Sequence, residues 1–302
     1  MRQPLVVAGL GALASALLHL SFATGGGLPL FAYFVQLPLA FTGLALGATS
    51  AALAALAAGT LVLVAGSWIA ALVFLLVQAA PGVLLAHFVL LWRQDGDGHT
   101  EWYPIGRAVG HLTLYVLAVT AIGLVAAELL TGDLEGLLAG SLRSTLAVLA
   151  GTVPPADAAA PAWLHLLPGF VAASWILMSC INALLAQRLA ERSGMARRPT
   201  PAMAEFAAPG HARWLVAGGG LVALFADGLL LHLAATVAIG ALLLYLLQGL
   251  AVVHALFAWR GWPRAALVPF YLVLLVFAWP LVLPLVALGL AEDVTRLRDR
   301  MI

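Results

Sequence analysis

Lysine is missing altogether. All 14 basic residues of the 302-residue chain are arginines, set against 13 acidic ones, for a net charge of +1. A balance so close to neutral leaves no electropositive footprint for nucleic acid. Charge of either sign is scarce, at 9% of residues, against about 25% in soluble domains. That is too little to cover a water-facing surface, and it excludes the soluble class. Cys180 is the single cysteine, which excludes an internal disulfide and a Cys-based metal site; in its apolar run it reads as a small packing residue. Catalytic patterns are missing too. The chain has no His-Glu-x-x-His pair and no Gly-x-Ser-x-Gly elbow, and so lacks those signatures of zinc and serine chemistry. Gly25-Gly26-Gly27 lacks the Lys and Ser/Thr of a phosphate loop and reads as a flexible turn. The membrane-depth Asp pair of an intramembrane protease is absent as well. These gaps speak against an enzyme and call for no cofactor and no metal, with a site built from scattered histidines as a minor alternative.

What is present is apolar: 64% of residues are hydrophobic. A spanning helix needs about 20 mostly apolar residues. Nine segments qualify, at 5–24, 28–46, 48–66, 68–92, 109–130, 163–187, 214–231, 233–258 and 266–290. The first also resembles a cleavable signal peptide; a membrane span is the expectation. The fold class expected is all-α, a polytopic integral membrane helical bundle of eight or nine transmembrane helices. The break at Gly47 to Ser50 is weak, because glycine is tolerated inside membrane helices. Pro280 and Pro284 interrupt the last segment, which is expected as a kinked span, with a re-entrant pair of half-helices as the alternative.

Arginine placement orients the set. The connector 188–213 carries Arg188, Arg192, Arg197, Arg198 and Arg213 and is assigned to the cytoplasm. The connector 131–162, with Asp133, Glu135 and Asp157 against Arg143, faces outward. The N-terminus then lies in the cytoplasm. With nine spans the C-terminus falls outside, in conflict with Arg296, Arg298 and Arg300. Three parts are expected: a six-helix membrane core over 1–187, the Arg/Pro-containing connector 188–213, and two or three membrane helices over 214–302.

Small residues recur every four positions at Ala8, Ala12 and Ala16, and again at Gly43, Gly47, Ala51, Ala55 and Gly59. Residues four apart share a helix face. In lipid such faces let backbones approach and helices pack, within the chain or against a partner membrane protein. Ionisable groups at membrane depth are expensive and suggest function. His19, Glu128, His165, Asp227 and His232 all fall towards the outer face in this topology. They are candidates for an outward cavity that fixes a polar small molecule, or for groups that reach interfacial water. Asp227-Gly228 also reads as an ordinary turn. Gln36, Gln78, Asn182 and Gln248 lie deeper and read as hydrogen-bonding links between helices. In the run 243–262, Gln248 has Gly249 beside it for close approach, while His254 lies about 120° further round the helix. The two polar groups therefore serve separate roles.

The stretches YLLQGLAVVHALF (245–257), RGWPR (260–264) and VFAWPLVLPLVALGLAEDVTRLR (276–298) resemble the bacterial YybS-like family of uncharacterised polytopic membrane proteins. LPLAFTGLALGATSAALAALAAG (37–59) looks like its Gly-marked second and third helices. The N-terminal helices of that family are similar to the substrate-binding S components of energy-coupling-factor vitamin transporters. The resemblance implies a bacterial inner-membrane location and a substrate site towards the outer side. It also implies a face at Ala8, Ala12 and Ala16 that contacts a coupling subunit. Three functional classes stand open: a membrane subunit that binds or transports a small molecule through an outward-facing cavity, a structural or envelope-assembly protein that packs against partner membrane proteins, and an intramembrane enzyme, which would need a water-accessible cluster of perturbed groups.

Overall fold

The computed structural model describes residues 2–23, 29–150 and 161–301. Almost all regular structure in it is helical, as lipid demands: without water, each backbone donor and acceptor must be satisfied within the protein. Among the described residues six helices are long and apolar enough to cross a membrane, or seven if a bent pair near the C-terminus counts as one. The chain is therefore an all-α polytopic membrane protein. Six or seven helices of spanning length stand against the eight or nine expected, because two expected spans are interrupted. Segment 28–46 divides into α2 (Pro29–Ala32), a turn over 33–36, and α3 (Leu37–Leu46), which ends at Gly47. Segment 214–231 divides into α10 (Ala212–Ala223) and the start of α11 (Gly228–Trp259). The Gly25-Gly26-Gly27 turn and Asp157 lie outside the described residues.

Two compact units emerge, each discontinuous in sequence and cut differently from the sequence-based division. The first comprises Met1–Leu112, Ile176–Ala207 and Val253–Ala255. In it α1 (Arg2–Ala23) packs on α3 and α4 (Ala48–Ala65). Ala12, Ser15 and Ala16 are buried, while Leu5, Leu10, Leu13 and Leu17 are exposed. That sorting is by size and not by polarity, as expected where the outer solvent is lipid and close packing holds the helices. A Cβ on Gly11 would collide with the Thr42 hydroxyl. Gly47, at φ 106°, takes a backbone conformation that a side chain disfavours, and this turns the chain sharply into α4.

The next span, Trp68–Val89, is not a uniform α-helix. It runs as α5 (Trp68–Val73), a π-helical stretch Phe74–Ala79, and α6 (Ala80–Val89). Pro81 explains the irregularity. It has no N–H to offer the carbonyl of Val77, one turn back; the widened turn and the Gln36 side chain, whose Nε2 donates to Val77 O at 3.3 Å, accommodate the change. After α6 comes a hairpin that the hydropathy pattern does not announce: β1 (Trp92–Gln94) pairs antiparallel with β2 (Thr100–Trp102). Arg93 and Glu101 face each other across it in an ion pair of 2.7 Å. Helix α7 (Ile105–Thr131) follows, and later α9 (Leu167–Arg192) leads into the arginine connector. That connector is pinned. Arg198 is buried and donates to Val89 O (2.8 Å) and Tyr103 O (3.0 Å). Arg197 donates to Leu46 O at 3.1 Å. Leu46 and Val89 close α3 and α6, whose last carbonyls lack helical partners and favour a cation. Burial lowers the Arg198 pKa and the nearby Glu205 carboxylate opposes that shift.

The second unit comprises Thr113–Trp175, Ala208–Val252 and Leu256–Ile302. It includes α8 (Leu134–Ala150), in the segment expected as a plain outer connector. Helix α11 runs beside α13 (Ala278–Thr295) with backbones nearly touching. A Cβ on Gly249 would fall on Leu285 O, and one on Gly289 on Tyr245 O. Helix α12 (Leu267–Val276) and α13 meet at a bend of 119°. That bend belongs to a broken span or to a re-entrant loop.

Candidate functional site

Of the five candidate ligand-binding residues, His19 belongs to the first unit and Glu128, His165, Asp227 and His232 to the second. His19 is half-buried on α1, with its ring edge-on to Phe74 at 5.2 Å. Glu128 sits near the end of α7, where its Oε2 accepts from Leu134 N at 3.1 Å and so covers a free donor at the start of α8. His165 lies in the single 3-10 turn Leu164–Leu166 before α9 and is half-buried. Asp227 is exposed and occupies the cap position of α11 without a side-chain capping bond. His232 is different from the rest. It is 2% exposed. Its Nδ1 lies 2.9 Å from Gly228 O, so that nitrogen carries the proton in the neutral ring. Its Nε2 has no hydrogen-bond partner. A neutral imidazole so placed presents a bare acceptor, one turn into the helix that Asp227 opens.

The small-residue positions are spent inside the units. Ala12, Ala16 and Ala55 join a core with Val35, Leu39 and Phe74, and Ala8 packs at its edge. A Cβ on Gly43 would meet Ala86 Cβ at 2.5 Å and Ala51 Cβ at 3.1 Å, one on Gly47 would meet Arg197 Nη1 at 2.5 Å, and one on Gly59 would meet Leu75 at 2.8 Å. Gln248, 2% exposed, donates from Nε2 to Gly289 O at 2.8 Å and accepts at Oε1 from Ala208 N at 2.6 Å. Both ends of the amide are therefore satisfied next to the Gly249 crossing.

Several arrangements escape reading by hydropathy and spacing. Tyr245 Oη donates to Asp293 (3.4 Å), which also faces Arg213 at 3.5 Å. Glu292, 6% exposed, pairs with Arg298 at 2.8 Å. The acid-rich ending of α13 is thereby tied to α11 and to the connector side of the second unit. Tyr103 Oη and His111 Nε2 lie 3.0 Å apart, with Phe88 stacked on His111. Among the described residues no group of three or more His, Cys, Asp or Glu could hold a metal ion.

The helices, their lipid-facing apolar surfaces and the buried polar links define a multi-pass membrane protein. More narrowly, residues 12–292 match the family described as Predicted membrane protein (DUF2232), and the chain belongs to it. No curated protein and no solved structure matches the chain.

Proposed function

We propose that the protein is a membrane subunit that binds a small polar molecule from the outer side, with His232 as the central recognition group. One observation carries this reading: the buried, unpartnered Nε2 of His232. A buried acceptor without a donor is costly, and a ligand N–H or O–H removes the cost. Asp227, exposed and free of capping duty, supplies a carboxylate at the start of the same helix. His165 and Glu128, of the same unit, are the remaining candidates for the wall. Substrate entry from the outer side is what the YybS-like and S-component resemblance suggests. The alternative, an assembly protein that docks partners on small-residue faces, is weakened by the burial of Ala12, Ala16, Ala51 and Ala55 within the first unit.

The same reading places the protein in the bacterial inner membrane with its N-terminus in the cytoplasm. Parity of crossings supports counting the interrupted segment 29–46 and α10 as crossings, for eight in all. Only then do Arg2, Arg93, Arg107, the connector 188–213 and Arg260 share the cytoplasmic side.

Mass spectrometry of the purified protein tests the function. We expect a co-purifying polar small molecule, reduced about tenfold or more in His232→Ala, the loss of one buried hydrogen bond to a ligand. A stoichiometric protein partner with no small molecule would instead favour the assembly reading.

A further inference from the structure

We propose that the 33–36 turn and the π-helical stretch enclose a site for one alkali-metal cation, held by the side-chain oxygens of Gln36, Gln78 and Asn182. Two of the amides, Gln36 and Asn182, are tied to main-chain carbonyls in the first unit, and Gln78 follows one of those carbonyls in sequence. Gln36 ends the turn, and its Nε2 donates to the carbonyl of Val77, the residue before Gln78, at 3.3 Å. Asn182 Nδ2 donates to the carbonyl of Tyr33, which starts the turn, at 2.7 Å, and to Met178 O at 2.9 Å. Both N–H groups of Asn182 and one of the two of Gln36 are thus spent on main-chain carbonyls. Their oxygens are buried without a hydrogen-bond partner, as is the Oε1 of Gln78. Gln36 is 0% and Asn182 1% exposed.

Orphaned buried acceptors are uncommon in folded proteins, and each calls for an explanation such as an ion or water. The leftover chemistry selects between these. Gln36 and Asn182 keep one spare N–H between them, on Gln36. A water has two hydrogens to donate, so a single water leaves one of the three oxygens unpaired. A hard cation has no lone pairs to satisfy and takes oxygen ligands. Neutral amides favour a single charge, because a divalent ion gives up its hydration only to carboxylates or comparable ligands. The backbone fits as well. Interrupted membrane helices place carbonyls beside sodium ions in transporters, and π-helical turns gather at functional sites. This site involves no residue of the His232 proposal and stands or falls separately from it.

Thermal unfolding of the purified full chain in detergent provides the test. Sodium chloride and potassium chloride are titrated against choline chloride at matched ionic strength. Sodium or potassium should raise the melting temperature, by roughly 3 °C per tenfold rise above its Kd, with choline inert. Asn182→Asp, which adds a carboxylate, should lower the half-effective concentration roughly tenfold. Gln78→Met, which removes one oxygen at similar length, should raise it. The proposal is overturned if the three salts act alike, as a water-filled site would require, or if the alkali response is unchanged in Asn182→Asp.

Discussion

At the residue scale, the irregular third span turns on one missing hydrogen. Pro81 withdraws a donor from the Val77 carbonyl, and Gln36, reaching across from the 33–36 turn, donates to it. Removing only the amide should leave that carbonyl less satisfied, at a cost of about 1–3 kcal/mol. Gln36→Leu should therefore lower the melting temperature of the purified protein. Pro81→Ala returns the N–H, so in that background Gln36→Leu should cost clearly less. Equal costs in both backgrounds, measured as a double-mutant cycle, would show that Pro81 and Gln36 act independently. Gln36 was visible in the sequence as a deep amide. Its partner was not, because the pairing joins residues 41 positions apart and depends on a locally widened helix that spacing does not announce.

At the scale of elements, packing in the second unit rests on the α11–α13 crossing. Without a hydrophobic drive between helices in lipid, contact depends on how closely backbones approach. Gly249 and Gly289 each face a main-chain carbonyl of the other helix, from Leu285 and Tyr245, and Gln248 bridges to Gly289 at 2.8 Å. Gly249→Val should separate the helices, break that bridge and destabilise the protein by about 2–4 kcal/mol or more, as overpacking and a lost buried hydrogen bond combine. Gly123→Ala on α7, where the Cβ position is open, should be nearly silent in the same melting assay. The long helices were legible from apolar length alone, and so was the close approach at Gly249. The end of α3 was not. Glycine is so ordinary in membrane helices that Gly47 looked like a weak break. Its left-handed φ of 106° goes with an arginine 151 residues beyond Leu46 that caps the helix end. The β1–β2 hairpin was missed for a different reason: strands of three residues leave too little alternation to detect.

At the scale of the whole molecule, arginine distribution and chain geometry both bear on which side the C-terminus occupies. Nine full crossings would carry Arg296, Arg298 and Arg300 outward, against the bias that keeps arginine in the cytoplasm. The 119° bend between α12 and α13 removes the conflict if the pair enters and leaves by one face. The first half is short for a crossing: the 10 residues of α12 extend about 15 Å, against a hydrocarbon core of about 30 Å, whereas the 18 residues of α13 extend about 27 Å. Arg260 and Arg264 before the pair and the three arginines after it then share one side, as do both termini. Single cysteines introduced at Arg2 and Arg300, with Cys180 replaced by Ala, should react alike with a membrane-impermeant maleimide. Both should be protected in intact cells and labelled in inverted vesicles. Labelling of the Arg300→Cys variant from outside, with Arg2→Cys protected, would mean that α12 and α13 complete a crossing after all. The arginines at the end of the chain would then need an anionic partner on the outer side.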